Sequence, residues 1–354
     1  MPAARAGFSP LDHQLELGGK VWSEGVERAA VWLSAAVPSF ALAGEILQRI
    51  GQIDISPSSI WRCTQEAGAK FQAVAKVERE QANALPARWE PPSRAEVQEQ
   101  RMGMSMDGAS MHIRTEGWKD VKIGVIFDVA VRPTQDQATG EVVDLAHAVN
   151  NSYVAHLGGP DVLGEMTWAE ARRRAWEQAQ DTAVIGDGAP WIWNQAALHF
   201  STSHQVVDWY HAKQHLVDAA RLIKQEGTTA FQRWLNSRET LLYQGHAEQI
   251  ADELQNAADK EPAKAAELVT AAGYFRNNQR RMNYIEMRED EWRVPPGRGS
   301  GMVESGAKQF KARFSGPGMR WSRSGAENLL PIRSAVLSAC FDLAWTAAQN
   351  LPLA

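Results

Sequence analysis

The chain has 354 residues, of which 44% are hydrophobic and 22% are charged, with a formal net charge of -5. This length allows two or three compact units around a buried sheet. No apolar run is long enough to span a bilayer and no signal segment is evident, so we expect a soluble cytoplasmic protein with no membrane partner. The two cysteines, Cys63 and Cys340, lack metal-ligand spacing, which argues against both disulfides and zinc fingers.

Helical signals fill residues 23–85. Ser39 can cap a helix that Gly51 ends, and Ser56 before Pro57 predicts the start of a second, short helix. The pair has the outline of a helix-turn-helix, although two packed helices without a DNA role fit the same pattern. Its second helix would present four polar side chains to DNA, namely Ser58, Ser59, Arg62 and Gln65.

Strand patterns follow a proline-rich stretch, residues 86–92, that we interpret as a linker. Methionines alternate with small or polar residues from Met102 to Asp107, which predicts a strand with Asp107 on the face opposite the methionines. A turn at Glu116-Gly117 leads to a second strand, and the two should form a hairpin. The apolar face of that second strand comprises Val121, Ile123, Val125, Phe127 and Val129.

Strands and helices alternate in the next segment. We predict a third strand at 142–149, a helix at 167–179 and two buried strands that end at Asp187 and Asp208. From Tyr210 to Ile285 the pattern is helical throughout. The sequence therefore favours an α/β fold with a partly parallel sheet, followed by an all-helical insertion.

Two of these strands end in the same tripeptide, Asp107-Gly108-Ala109 and Asp187-Gly188-Ala189. Each Asp-Gly by itself is typical of a turn. The order of elements, however, allows the two carboxylates to lie side by side on adjacent strands, where a divalent cation would offset their repulsion. Two Mg²⁺ or Mn²⁺ ions roughly 3.5–4 Å apart in such a site support in-line phosphoryl displacement.

A third carboxylate would complete the site. The best candidate is Glu304, because it shares one helical face with Lys308 and Lys311. Glu327 is the rival, but its position three residues after Ser324 indicates a capping box and a structural role. Asp208 is a further candidate, with His211 three residues later. We expect Asp208 to cap the following helix or to support the site from behind.

Five short motifs resemble those of bacterial insertion-sequence transposases of the ISKra type, relatives of the Mutator-like group. The motifs are Met106–Ala109, Ile185–Ala189, Asp208–Ala212, Val303–Gly306 and Gly318–Ser322. This resemblance implies a DNA transposase with a ribonuclease H-like core, whose catalytic and metal-binding residues are Asp107, Asp187 and Glu304. It also implies that Asp208 and His211 form the aspartate-x-x-histidine signature of the group.

We accordingly predict four segments: a helical domain with a helix-turn-helix (1–86), the first part of the ribonuclease H-like core (87–211), a helical insertion (212–298) and the rest of the core (299–354). The expected partners are double-stranded DNA, as terminal inverted repeats and as target, and further copies of the chain on DNA. Despite the negative net charge, late basic residues should hold DNA. These are Lys308, Lys311, Arg313, Arg320 and Arg323.

Three other functions fit part of the sequence. A nuclease with a ribonuclease H fold would use the same carboxylates to cut DNA without strand transfer. A domesticated or inactive transposase would regulate through its helix-turn-helix. A glycosidase could also use paired carboxylates, but it explains neither the helical insertion nor the late basic residues.

Overall fold

The computed structural model describes residues 22–84, 100–135, 142–287 and 301–351, so the predicted linker at 86–92 lies outside it. The chain forms two compact units. The first, which we call the helical unit, comprises described residues up to 78 together with 110–119 and 309–351, and the second, the sheet unit, comprises the rest. Among the described residues, no helix is both long enough and apolar enough to cross a bilayer.

A five-stranded sheet has the order β3-β2-β1-β4-β5. Its strands are β1 Arg101–Ile113, β2 Gly117–Gln135, β3 Val142–Leu157, β4 Asp181–Gly186 and β5 His204–Val207. Strands β2 and β3 are antiparallel, whereas β4 is parallel to both β1 and β5. A three-residue turn joins the neighbouring strands β1 and β2, as only an antiparallel pair permits. The predicted mixed α/β class and the predicted hairpin are confirmed.

Strand β3 starts at the predicted Val142 but continues to Leu157, beyond the predicted end at residue 149. The reason is a bulge: Asn150 has a φ of 53° at the point where the β2–β3 register shifts. The polar residues at this bulge interrupt the apolar pattern of β3 without ending the strand. Next to the bulge, Arg174 pairs with the buried Asp128 at 2.7 Å and so stabilises the irregular backbone.

Helices cover the methionine face of the sheet. They are α4 Pro160–Arg173 and α5 Pro190–His199. Met102, Met104 and Met106 are buried in one core with Leu163 of α4 and Ile192 of α5. Helix α4 begins before the predicted residue 167, because a proline at its first turn already favours helix there.

The helical run predicted after β5 is confirmed. Its helices are α6 Trp209–Ile223, α7 Thr229–Tyr243, α8 Ala247–Lys260, α9 Ala265–Asn278 and the short α10 Tyr284–Met287. Leu216, Phe231, Ile250 and Phe275 are buried in the same core as the sheet methionines. The insertion is therefore part of the sheet unit and can support residues at the strand ends.

The helical unit starts with α1 Glu24–Ala36, α2 Phe40–Gly51 and α3 Pro57–Ala82, which continues into the sheet unit. The predicted cap is confirmed, since Ser39 Oγ accepts from the Leu42 N–H at 3.1 Å. Helix α2 ends at Gly51 as predicted, but the left-handed residue is Gln52, with a φ of 53°. Helix α3 begins at Pro57 as predicted and is long, not short.

The C-terminal segment completes this unit. It contains the last part of α11 Gly301–Phe314, then α12 Arg323–Leu337 and α13 Phe341–Asn350. Two buried arginines reach the C-terminal end of α1, where Arg313 Nε donates to the Ser34 carbonyl and Arg333 Nη1 donates to the Ala35 carbonyl, both at 2.7 Å. Helix-end carbonyls lack partners within the helix and carry partial negative charge, so these bonds fix the segment to α1.

Helices α3 and α12 approach closely at Gly68, where an added Cβ would lie 2.2 Å from the Asn328 carbonyl oxygen. We expect Gly68→Ala to lower the free energy of unfolding by about 1–3 kcal/mol, because backbone atoms must move apart. Gly25→Ala is the control, since a Cβ there meets nothing within 4 Å. It should leave stability unchanged or raise it by up to about 1 kcal/mol. Equal urea denaturation midpoints for both variants would contradict this packing.

Candidate functional site

The two predicted aspartates belong to one row across the parallel strands. Strand β1 pairs with β4 so that Ser105 lies opposite Ile185. Continuing this register by two residues sets Asp107 opposite Asp187. Neighbouring strands are about 4.8 Å apart, and paired residues of parallel strands point to the same face. Strand β1 does not end at Asp107 as predicted but continues to Ile113. The continued register thus sets Asp107, which lies within β1, beside Asp187 at the carboxyl end of β4.

Asp208 continues this row directly after β5. The β4–β5 register ends with Gly186 opposite Val207, and the Asp208 N–H donates to the Gly186 carbonyl at 2.7 Å. Its carboxylate accepts from the His211 N–H at 3.1 Å and lies 3.0 Å from His211 Nδ1. The predicted role of Asp208 as a helix cap is confirmed. Because this buried carboxylate is engaged by the start of α6, it is suited to supporting Asp187 from behind.

Helix α9 holds the loop that carries Asp187. The Tyr274 hydroxyl donates to the Asp187 carbonyl at 2.9 Å. Gly188 has a φ of 101°, and a Cβ there would lie 2.6 Å from the Tyr274 ring, so only glycine fits. The Ala189 N–H donates to Asp187 Oδ1 at 2.8 Å. The loop is fixed through its backbone while one carboxylate oxygen accepts a local hydrogen bond.

The groups behind this loop are neutral at neutral pH. Burial, and secondarily the charges of Asp187 and Asp208, raise the pKa of the Tyr274 phenol. The His215 ring stacks on Tyr274 with centroids 3.6 Å apart, and burial lowers the pKa of His215. Neither side chain therefore adds positive charge beside the two aspartates, which preserves an environment that favours a cation.

Lys122 of β2 was not identified from the sequence. Its Nζ would lie 3.5 Å from a Cβ on Gly108, and it is 5.0 Å from the centre of the Trp191 ring. It also pairs with Asp120 at 3.3 Å. This cation lies beside Gly108, which follows Asp107 within β1, and beside the start of α5. The sequence signal that could have identified Lys122 is the presence of a lysine among the apolar residues of β2.

The third predicted carboxylate belongs to the first turns of α11. The side chains of residues 301–304 lie outside the described ones, so only the backbone locates Glu304. A Cβ on Gly306 would lie 2.4 Å from Tyr153 Cε1, which brings the beginning of α11 against β3. Tyr153 pairs with Val125 of β2, so the two side chains share a sheet face.

That face is the one that carries Asp107. Phe127 lies two residues after Val125 and therefore on the same face, and a Cβ on Gly103 would lie 2.1 Å from its ring. Gly103 and Asp107 share a face because they are four residues apart in one strand. The start of α11 thus packs on the Asp107 face, opposite the methionines.

The donors of Asp107 and Asp187 are hard carboxylate oxygens, which suit Mg²⁺ or Mn²⁺. Asp107 Oδ1 also accepts from the Gly108 N–H at 2.6 Å. Among the side chains that the structure describes, no three acidic, histidine or cysteine groups converge as ligands of one ion. Those side chains do not include the Glu304 carboxylate.

The residues of α3 that we predicted to contact DNA are only partly exposed. Ser58 and Arg62 face solvent and Ser59 is half-buried. Gln65 differs from its predicted outward position, because its Oε1 accepts from Asn328 Nδ2 at 3.0 Å. Its side chain is thereby turned toward α12.

The late basic residues also divide into two groups. Lys308, Lys311, Arg320 and Arg323 are exposed. Arg323 pairs with Glu116 at 2.9 Å and with Glu327 at 3.2 Å. Arg313, in contrast, is only 2% exposed, so the expectation of a surface DNA contact there is corrected. Its burial follows from the hydrogen bond to α1.

The predicted capping box of Ser324 and Glu327 is wrong, because the serine that caps the helix is Ser322. Helix α12 begins one residue after Ser322, whose Oγ accepts from the Gly325 N–H at 3.1 Å. The helix begins there because Trp321 is still extended, with its N–H donating to the His112 carbonyl at 3.0 Å. Glu327 instead forms the ion pair with Arg323, which is a structural role.

Fold and site define a mixed α/β protein with one aspartate within β1 and another at the carboxyl end of the adjacent parallel strand β4. The chain belongs to an uncharacterised protein family, UPF0236, whose family model matches residues 135–342. The matched segment includes Asp187, Asp208 and Glu304. No curated protein matches the chain significantly.

Loss of the phenol that supports Asp187 should be measurable. We expect Tyr274→Phe to lower the free energy of unfolding by about 1 kcal/mol, because the Asp187 carbonyl loses its donor. Tyr210→Phe on α6 is the control, since Tyr210 is 46% exposed and should change stability by less than about 0.5 kcal/mol. If urea denaturation gave the two variants the same stability, Tyr274 would not hold the loop.

Proposed function

We propose that the chain is a DNA transposase of the aspartate-aspartate-glutamate class, in which Asp107, Asp187 and Glu304 hold two Mg²⁺ or Mn²⁺ ions. The observation that supports the proposal is the register of β1 and β4, in which Ser105 lies opposite Ile185; two residues further on, the same register would set Asp107 opposite Asp187. The resemblance of five motifs to ISKra-type transposases supplies the specific activity.

The arrangement of the sheet supports a ribonuclease H-like core. The first three strands are consecutive neighbours, and β4 and β5 extend the sheet on the side of β1. The helical insertion lies in sequence between β5 and α11, as the resemblance implies. The start of α11, which carries Glu304, packs on the Asp107 face.

The proposed reaction has two phosphoryl transfers. Water first attacks a phosphodiester at each transposon end and releases a 3′-hydroxyl, which then attacks target DNA and displaces a target 3′-oxygen. Two bound ions would activate the attacking oxygen and stabilise the leaving oxygen. The carboxylates of Asp107, Asp187 and Glu304 would hold the ions, while Tyr274 and Asp208 keep the Asp187 loop in position.

DNA would be held by residues outside the carboxylate row. Lys308 and Lys311 follow Glu304 on α11 and are exposed. We also propose that α2 and α3 act as a helix-turn-helix through Ser58 and Arg62. Because two transposon ends must be joined, the active form on DNA would contain at least two copies of the chain.

The direct test is cleavage of DNA that carries the sequences flanking the gene, with Mg²⁺ or Mn²⁺. Glu304→Gln should lower the cleavage rate by about 1,000-fold or more, because loss of a metal ligand removes several kcal/mol of transition-state stabilisation. Glu327→Gln is the matched control and should cleave like wild type, since Glu327 pairs only with Arg323 in the described structure.

The products distinguish the competing functions. Joining of the cut 3′ end to a second DNA supports a transposase, whereas cleavage without joining supports a nuclease with the same core. DNA binding without metal-dependent cleavage by wild type would contradict the enzyme and favour a regulator. Full activity of Glu304→Gln would remove Glu304 from the site.

A further inference from the structure

The helical unit contains a pocket that the proposed catalytic row does not use. Its volume is about 370 Å³, near the lower end of small-molecule sites, which span about 300–1,000 Å³. Three aromatic and three arginine residues dominate its lining: Phe40, Trp61, Trp321, Arg114, Arg313 and Arg320. A pocket of this size can take one planar group with a short polar tail, but not a stack of base pairs.

The aromatic rings differ in how firmly they are held. Trp321 is nearly buried, its Nε1 donates to the Phe314 carbonyl at 2.9 Å, and its ring lies 6.4 Å from that of Phe40. Trp61, one turn into α3, is 42% exposed. The half-exposed Trp61 indole lines the same pocket, so its ring is accessible to a planar ligand.

Positive charge is built into this pocket. Arg313 is 2% exposed, and its guanidinium carbon lies 4.9 Å from the Phe40 ring centre and 5.0 Å from that of Trp321. Its Nη2 has no hydrogen-bond partner among the residues that the structure describes. Burial, followed by the nearby charge of Arg333, lowers the pKa of Arg313 to about 10, so Arg313 is still charged at neutral pH. A buried charge without a carboxylate partner is costly, and an anion nearby would offset that cost.

Arg114 and Arg320 add two exposed cations at the same pocket. Neither of them forms an ion pair with a described residue, and the described lining contains no acidic side chain. An anionic ligand is therefore favoured over a neutral one. Aromatic faces beside arginines are the combination with which proteins bind unpaired nucleotides, through base stacking and phosphate contacts.

We propose that this pocket binds a single unpaired nucleotide of a DNA strand, with its base against Trp61 and its phosphate facing Arg114 and Arg320. The identity of the strand as DNA rests on the proposed function. The site would let the protein recognise a nucleotide that has left the duplex, separately from the catalytic row.

The test measures binding in EDTA, without cleavage, to a duplex that has a short overhang containing 2-aminopurine and to the same duplex with blunt ends. Wild type should bind the overhang duplex more tightly and quench the probe by stacking. Trp61→Ala should weaken overhang binding by roughly 5- to 140-fold, because each stacked base contributes that much, and leave blunt-end binding unchanged. Trp61→Phe, which keeps an aromatic face, should restore most of the preference.

Trp32→Ala is the matched control, since Trp32 is a helical-unit tryptophan that is 43% exposed and does not line the pocket. It should keep the overhang preference. Arg320→Gln should lower the preference for the overhang duplex, whereas Lys311→Gln should weaken the binding of both duplexes equally. Equal loss in the Trp61 and Trp32 variants, or no preference in wild type, would overturn the proposal.

A competition with free thymidine monophosphate separates the two sources of a nucleotide. Displacement of the overhang only at far higher nucleotide concentration supports a site for DNA, and equal affinity for the free nucleotide overturns that assignment. The outcome is independent of cleavage. If the wild type cleaves and joins DNA but Trp61→Ala keeps the overhang preference, only the pocket proposal is rejected. If the overhang preference depends on Trp61 but the wild type does not cleave DNA, only the transposase proposal is rejected.

Discussion

The parallel pairing of β1, β4 and β5 is the constraint on which the site depends. It sets Asp107, within β1, in one row with Asp187 at the carboxyl end of β4 and places Asp208 next to them. A slip by one residue would turn a carboxylate to the methionine face, where it would have to be buried without charge compensation. The buried methionines on that face oppose such a slip, so the core and the site require the same register.

The helical insertion supports this row from behind. Tyr274 packs at the Asp187 loop, Gly188 allows its close approach, and the ring of His215 stacks on Tyr274. Asp208, by capping α6, connects the end of β5 to the same insertion. Two like charges held side by side favour a bound cation. If the backbone could move, the carboxylates would instead reduce their repulsion by moving apart, and a rigid support prevents this. We propose that this support keeps the metal ligands in position.

Much of the fold follows from short-range patterns in the sequence. The cap at Ser39, the alternation before Asp107 and the helical run after Asp208 depend on neighbours within a few residues, and the structure has them as predicted. Features that depend on distant residues were missed. The burial of Arg313 requires the end of α1, and Lys122 gains meaning only when β2 brings it to Gly108.

The start of α12 is a second case of this kind. Ser324 followed by Glu327 has the local form of a capping box, yet the extended backbone at Trp321 shifts the cap to Ser322. The position of α11 against Tyr153 likewise depends on a contact between segments far apart in sequence. The pocket in the helical unit was invisible for the same reason, because α3, the β1–β2 turn and the C-terminal segment each contribute to it.

Whether the three carboxylates share one metal site can be measured directly by replacing Mg²⁺ with Fe²⁺ and generating hydroxyl radicals with ascorbate and peroxide. The radicals cut the backbone next to the bound ion. Our account predicts cuts near Asp107, near Asp187 and within residues 301–306, all suppressed by excess Mg²⁺. Cuts near the two aspartates without any in α11 would contradict the assignment of Glu304, and the lack of Mg²⁺-sensitive cuts at either aspartate would contradict the metal site itself.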